Sequence, residues 1–212
     1  MLIGIAVLLA AAAAWRLASW PRETPRDARD PDAARIAVLQ REKNITALAR
    51  EVSNPNVEVA RHAVAALGRI GAESMEQVKH ALSDTRPRVR ERAAATFAHV
   101  ARREDAAPLA KLVREDASAN VRAAAVSGLE RMFAYEQMET ILAAMEDPDV
   151  AVRRRAAVAA RRFACVIVGY KADAPPHKRK AAVQRMRSEW LKHRDRARKY
   201  WEMILTKYKK DG

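Results

Sequence analysis

Apolar residues recur at intervals of three and four residues along most of the chain, and this spacing predicts helices. Ile45, Leu48 and Val52 follow it in one short segment. Such spacing places the apolar side chains on one face of a helix, where they can pack against a neighbour. No stretch alternates Val, Ile or Thr with polar residues for long enough to predict a sheet. We therefore predict an all-α fold, which the abundance of Ala, Leu, Arg and Glu also favours.

Four segments of the chain repeat one pattern with a nearly constant period. When Val59, Val89, Val121 and Val152 are aligned, the spacings between them are 30, 32 and 31 residues. An Asp or Asn stands five residues before each valine, and an alanine stands four residues after it. In the last three segments an arginine follows the valine directly. Each segment has an amphipathic run, a turn and a second amphipathic run, so we predict a stack of helix pairs that bury their apolar faces against one another.

This pattern resembles the HEAT repeat family, in particular the short HEAT-like repeats first named for phycobilisome lyases. The resemblance covers about residues 44–166, with a weaker half-repeat at 32–43, and it implies a short α-solenoid of about four helix pairs. It also implies a ladder between neighbouring repeats, formed by the turn acids and the second-helix arginines. The predicted ladder residues are Asp84, Arg90, Asp116, Arg122, Asp147 and Arg153. We expect their role to be structural, and the first segment, with Asn54 and Ala60, to lack both partners together.

The resemblance further implies that the second helices line a concave face. Residues that stand two, nine or ten positions after each aligned valine are predicted to point toward it. The candidate partner-binding residues there are Arg61, Arg69, Arg131, Arg154 and Arg161, interspersed with Glu91 and His99. We interpret this mildly basic stripe as a surface for another protein, with an ordinary solvated face as the alternative.

An apolar segment precedes the repeats. Residues 1–15 carry no charged side chain and Arg16 is the first, so residues 1–20 reach about the length that a membrane-spanning helix needs. We predict a single-pass N-terminal membrane anchor, with a repeat domain at 32–170 that is cytoplasmic because basic residues follow the apolar segment. A cleaved signal peptide, which would make the protein exported, and a buried helix are the alternatives. Residues 21–31 are rich in proline and charge and are predicted to be a linker.

The C-terminal part is predicted to be one long helix. A Pro-rich loop at residues 171–177 ends the repeat pattern, and residues 178–210 form a basic amphipathic helix. Its apolar stripe includes Trp190, Trp201 and Tyr208. From residue 178 to the end of the chain there are 13 Lys or Arg and 4 Asp or Glu residues, which supply most of the net charge of +14. This helix either caps the last repeat or presents its aromatic residues to a partner protein, an anionic lipid surface or nucleic acid.

We find no residue pattern that points to catalysis, a metal or a cofactor. The sequence has no Gly-rich phosphate loop, no Ser elbow and no His/Glu pair at metalloprotease spacing. The single Cys165 excludes an internal disulfide and a multi-cysteine metal site. The predicted function is a non-catalytic, membrane-tethered helical-repeat scaffold that mediates protein–protein interaction. The alternatives are a nucleic-acid-binding HEAT-like protein that uses its basic surfaces, and a chromophore lyase or carrier, which rests on fold analogy alone.

Overall fold

A computed structural model describes residues 31–210, apart from the side chains of residues 204, 205 and 207–210. This part of the chain forms ten α-helices and no β-strand, which confirms the all-α prediction. Eight of the helices form four consecutive pairs, so the predicted short α-solenoid is also confirmed. The helices are α1 (Pro31–Arg41), α2 (Ile45–Val52), α3 (Val57–Ile70), α4 (Met75–Ala81), α5 (Pro87–Val100), α6 (Ala107–Glu115), α7 (Ala119–Arg131), α8 (Met138–Ala144), α9 (Val150–Ala164) and α10 (Pro176–Lys210).

The second helices of the pairs form one continuous layer. We call α2, α4, α6 and α8 the first helices, and α3, α5, α7 and α9 the second helices. Neighbouring second helices lie in close contact along the stack, whereas neighbouring first helices touch much less. The helices approach closely at Gly128 of α7, where an added Cβ would lie 2.7 Å from Cδ1 of Leu109 and 3.3 Å from the carbonyl oxygen of Ala94. Small residues at such contacts let the helix backbones come together.

The repeated valine and alanine positions are at the centre of the core. The four aligned valines are at most 3% exposed, and the four alanines that follow them are completely buried. The first helices pack their own apolar face against this layer. Their fully buried side chains include Leu48, Val78, Leu109 and Ile141. The period of the sequence therefore reflects the repeated burial of the same positions in each helix pair.

Both ends of the stack are covered by a further helix. At the N-terminal end, α1 packs on α2 and α3 and buries Ile36. At the C-terminal end, α10 packs across α8 and α9 and buries Val183 and Met186. It begins at Pro176, two residues earlier than predicted, as proline is well tolerated in the first turn of a helix. A terminal repeat needs such a cover because its outer apolar face has no neighbouring repeat.

The localisation prediction needs correction. Within residues 31–210, no helix is both long enough and apolar enough to cross a bilayer. The longest helix, α10, carries charged residues along its whole length, and each charge in the hydrocarbon would be costly. The structure therefore does not support the predicted single-pass N-terminal anchor. The cytoplasmic placement of the repeats, which depended on that anchor, is not supported either. The segment 1–20, to which the anchor and the signal-peptide alternative were assigned, lies outside the described residues, as does the linker up to residue 30.

Candidate functional site

Two rungs of arginine and aspartate join neighbouring repeats. The guanidinium of Arg90 donates from Nε to Oδ2 of Asp116 at 2.7 Å and from Nη2 to Oδ1 at 3.0 Å. Arg122 makes the same two bonds with Asp147, at 2.8 and 2.9 Å. The carboxylates belong to the following repeat, and the side chains of Asp116 and Asp147 are only 3% and 7% exposed. Because a buried carboxylate requires a well-aligned counter-charge, each rung fixes how one repeat sits on the next.

The same arginines also bind the turn of their own repeat. Nη1 of Arg90 donates to the carbonyl oxygens of Asp84 at 2.8 Å and Thr85 at 3.0 Å. Nη1 of Arg122 does the same with the carbonyls of Asp116 and Ala117. The spacing of six between turn acid and arginine therefore reflects a bond to the main chain of one turn. The carboxylates of Asp116 and Asp147 are bound instead by an arginine of the preceding repeat.

Arginine side chains lower the pKa of Asp84 and Asp116. Burial alone would raise the pKa of Asp116, but the hydrogen bonds from Arg90 and from the backbone N–H of Ser118 outweigh it, and the pKa lies below its ordinary value. The pKa of Asp84 is lowered chiefly by its hydrogen bonds with the side chain of Arg86. Both carboxyls are therefore ionised at neutral pH in the folded protein, each held by a guanidinium.

At the interface between the first two repeats, the arginine comes from the following repeat and not from the preceding one. Ala60 stands where later repeats have an arginine. Instead, Arg86 binds both oxygens of Asp84, from Nε at 2.8 Å and from Nη2 at 2.7 Å. Its guanidinium also donates to the carbonyls of Val52 at 2.7 Å and Asn54 at 2.5 Å in the preceding turn. The first segment, with Asn54 and Ala60, lacks both ladder partners, but its interface still has a rung because the second repeat supplies the arginine itself.

The ladder ends at Arg153, which is 9% exposed. Its Nη1 donates to the carbonyls of Asp147 and Pro148 in its own turn, as in the earlier repeats. In the described part of the chain α9 is followed by the single helix α10, and Nε of Arg153 donates to the carbonyl of Ala172 at 2.7 Å in place of a carboxylate. The segment between α9 and α10 therefore takes the place that the turn of a fifth repeat would occupy.

The second helices present a continuous outer surface. On each helix, four residues spaced by four, three and four positions form an outward stripe. The stripes are Glu58, His62, Ala65 and Arg69 in α3; Arg88, Arg92, Ala95 and His99 in α5; Asn120, Ala124, Ser127 and Arg131 in α7; and Ala151, Arg155, Val158 and Arg162 in α9. All except Ala65 are exposed or half-buried. We define the second-helix surface as these stripes together with the flanking positions two and nine residues after each aligned valine.

The five arginines predicted to bind a partner all lie on the second-helix surface. Arg69 and Arg131 belong to the stripes, and Arg61, Arg154 and Arg161 stand at the flanking positions. Arg69, Arg154 and Arg161 are exposed, whereas the other two are half-buried. Sequence reasoning missed two positions of each stripe: the residue directly before the aligned valine and the residue three positions after it. The spacing of three and four residues along a helix could have revealed both.

Some charges of this surface are paired within it. Glu58 binds Arg61 of its own helix, and Arg88 of the next second helix at 3.1 Å. Glu130, whose side chain is 9% exposed, binds Nη1 of Arg162 at 3.2 Å across α7 and α9. The Glu58–Arg88 and Glu130–Arg162 pairs cross from one repeat to the next, so they add to the rungs in joining the second helices.

Two of the predicted partner-binding aromatic residues belong to the core. Trp190 and Trp201 are 8% and 5% exposed. Nε1 of Trp201 donates to the carbonyl of Phe163 at 3.3 Å, and its ring centroid lies 5.2 Å from that of Phe133. These contacts hold α10 on the last repeat, so the two tryptophans do not face a partner and that prediction is corrected. The side chain of Tyr208 lies outside the described residues.

The solvent-facing side of α10 carries charges of both signs. Lys192 pairs with Glu189 at 2.9 Å, and Arg198 pairs with Glu202 at 2.8 Å. Arg196 is also exposed. Part of the positive charge of this helix is therefore neutralised along the helix itself.

No three His, Cys, Asp or Glu side chains within residues 31–210 are placed to hold a metal ion. Cys165 at the end of α9 is exposed as a residue, but its thiol is partly surrounded by neighbouring atoms, and this partial desolvation raises its pKa. A raised pKa makes the reactive thiolate scarcer at neutral pH.

Comparison with known proteins shows that this chain is similar to helical-repeat proteins. Residues 44–130 match the sequence profile of the family described as HEAT repeats. A solved complex of CpcE and CpcF of phycocyanin lyase from Nostoc sp. PCC7120 is similar at a TM-score of 0.50 and 20% identity, over 68% of this chain and 97% of that chain. At this identity the similarity concerns the fold alone.

A designed armadillo repeat protein in complex with the peptide (KR)4 is also similar, at 17% identity and a TM-score of 0.42. That match covers 81% of this chain and 84% of the designed one. No curated protein matches the chain.

Proposed function

We propose that this chain, a HEAT-repeat protein, is a non-catalytic scaffold that binds another protein across its second-helix surface. The observation that supports this most directly is the close contact between neighbouring second helices, which brings four outward stripes side by side. Repeat stacks commonly bind partners on such extended surfaces. The rungs support the same role, because they hold the stripes in fixed register.

The second-helix surface is large enough for a specific partner. Helices of this length are about 20 Å long at about 1.5 Å per residue. Four of them at separations of about 9 to 10 Å make a surface roughly 40 Å wide. Its area is then about 800 Å², which is about what each partner contributes to a protein–protein interface of standard size.

Of the alternative functions, nucleic-acid binding is favoured by the net charge of +14. Phosphate contacts by arginine and lysine would make such binding fall steeply with salt. A role as a chromophore lyase or carrier has only the similarity of fold in its favour, and fold does not carry function.

A photo-crosslinking amino acid in place of Ala95 tests the proposal. Ala95 is exposed at the middle of the α5 stripe, so the substitution leaves the core intact. We expect irradiation in the cells that make the protein to yield a discrete protein adduct. The matched control is the same amino acid in place of Leu191, which is 53% exposed on α10. Equal adducts at both positions, or none at Ala95, would refute the proposed surface.

A further inference from the structure

Arginine dominates the second-helix surface. Its stripes and flanking positions contain nine arginines and three glutamates. Of the glutamates, Glu58 is bound by Arg88 and Glu130 is bound by Arg162. The surface therefore stays positively charged after its internal pairs are taken into account. Charge of one sign on a surface attracts partners of the opposite sign.

Three exposed cations of this surface lie on α9. Arg154, Arg155 and Arg161 are exposed. Within residues 31–210, no side chain forms an ion pair with any of these three. They are therefore free to bind an anionic group without first losing an internal partner.

A row of small side chains crosses the surface between the charged positions. It consists of the third residue of each stripe: Ala95 and Val158, which are exposed, Ser127, which is half-buried, and Ala65, which is buried and forms the floor of the row at its N-terminal end. The second and fourth residues of a stripe flank this row and are separated by seven positions, or about 10 Å along the helix. Small side chains let the backbone of a partner approach closely, while the longer arginines reach it from either side.

We infer that this row binds an extended polypeptide segment rich in Asp and Glu. The side chains of an extended chain point alternately to two sides, so its carboxylates would meet the arginines on both sides of the row. A guanidinium binds a carboxylate through two parallel hydrogen bonds. Crossing four helices at about 9 Å separation needs about eight residues at roughly 3.3 Å each. The inference rests on the proposed function and adds the chemistry of the partner.

The side chains favour a polypeptide over nucleic acid. Single-stranded nucleic acids are bound largely by stacking on aromatic rings. The two aromatic residues of the second helices, Phe97 and Phe163, are completely buried. Glu58 and Glu91 also stand on the surface near its N-terminal end. They would repel a continuous row of phosphates, whereas a polypeptide can place a neutral or basic residue opposite them.

The test measures binding of a fluorescein-labelled peptide of alternating Glu and Ala residues, about twelve residues long, to the full chain by anisotropy. The variant Arg154→Glu/Arg155→Glu reverses two exposed charges on the surface. The control Arg196→Glu/Lys199→Glu makes the same change in net charge on the exposed side of α10. We expect the first variant to bind about tenfold more weakly and the control to change affinity by less than about twofold.

Three outcomes would overturn the inference: no binding of the peptide by the unmodified chain, equal loss in both variants, or tighter binding of a DNA duplex than of the peptide. Circular dichroism checks that each variant is folded. If the charge reversal disturbs folding, Arg154→Gln/Arg155→Gln replaces it, with an expected loss of about threefold. An unchanged affinity of the Gln variant would contradict the inference equally.

The two proposals fail in distinguishable ways. If Ala95 crosslinks to a partner but the peptide does not bind, the chemistry assigned to the partner is wrong and the scaffold proposal stands. If the crosslinks arise only from Leu191, the binding surface itself is wrong.

Discussion

At the scale of single residues, each rung arginine makes several bonds that belong to two repeats. Arg122 binds the carboxylate of Asp147 in the following repeat and two carbonyls of its own turn. Its removal would leave a carboxylate that is 7% exposed without a counter-charge. Removing one partner of such a pair costs far more than replacing both partners.

We predict that Arg122→Ala lowers the free energy of unfolding by about 3 kcal/mol, because it strands Asp147 in the interface. Urea unfolding followed by circular dichroism measures the loss. The double variant Arg122→Met/Asp147→Asn should recover part of the lost stability. An amide oxygen at position 147 can still accept the hydrogen bond from the backbone N–H of Asp149, and it carries no charge. The control Arg154→Ala, on the exposed surface, should stay within about 0.5 kcal/mol. A double variant as unstable as the single one would argue against the pairing.

The pKa of Asp116 is lower in the folded than in the unfolded chain, where it lies near 3.8. The unfolded chain therefore binds more protons at low pH. The stabilisation is fully present above the unfolded pKa and is lost as the pH falls through the folded pKa. We predict that the urea midpoint falls as the pH drops below about 4. Asp116→Asn should make this fall shallower, and an unchanged pH profile in the variant would contradict the assignment.

Single residues also show where sequence reasoning stops. Asp84, Asp116 and Asp147 stand out by their repeat, but a one-dimensional pattern does not say which arginine binds which carboxylate. That depends on how one repeat sits on the next, which the spacing along the chain does not contain. Arg86 went unrecognised because its position has no equivalent arginine in the other repeats. The signal was an arginine two residues after Asp84 together with the missing arginine at Ala60.

At the scale of the helices, the close contact of α5 and α7 depends on Gly128. The Cβ of alanine there would crowd Cδ1 of Leu109, which can shift slightly, and would lie 3.3 Å from the carbonyl oxygen of Ala94. Valine would add two methyl groups to the same crowded space. We predict that Gly128→Ala changes the free energy of unfolding by less than about 1 kcal/mol, whereas Gly128→Val lowers it by about 2 to 3 kcal/mol. Thermal unfolding measures both. Ser127→Val, on the outward stripe, is the control and should be nearly neutral; equal effects of both valines would exclude the close contact as the cause.

The docking of α10 depends on its buried tryptophans. We predict that Trp201→Ala lowers the free energy of unfolding of the C-terminal part by about 3 to 5 kcal/mol, through lost burial and the cavity that remains. Since α10 is rich in lysine and arginine, its loosening should appear as faster tryptic cleavage within this helix. Met203→Ala is the control, because Met203 is 59% exposed. A cleavage pattern identical to that of the unmodified chain would show that Trp201 does not hold the helix.

The helices themselves were largely predictable, because apolar spacing, turn residues and period agree in each repeat. The function of α10 was harder to predict. Its apolar stripe, with Trp190 and Trp201, is equally typical of a helix that caps a stack and of one that binds a partner or a membrane. Only the position of the last repeat distinguishes a capping helix from one that binds a partner or a membrane. In the structure, Trp201 of this stripe donates a hydrogen bond to the carbonyl of Phe163 in α9.

At the scale of the whole molecule, each repeat contacts only its neighbours, so stability should vary along the stack. The middle second helices, α5 and α7, have a second helix on both sides. We predict that their amides exchange with deuterium most slowly, and that those of α1, at the N-terminal end, exchange much faster. Hydrogen exchange followed by mass spectrometry measures this profile. Uniform protection from α1 to α9 would indicate a single cooperative unit instead.

The reversed rung at Arg86 has a consequence for rearranging the repeats. The second repeat, which contains Asp84, also contains the arginine of its own rung. From the repeat before it, this rung needs only two backbone carbonyls, which any sequence provides. The later units depend on a side chain supplied by their predecessor. In a shuffled or transplanted array, the unit from Asp84 onward should therefore be the one that accepts a foreign neighbour.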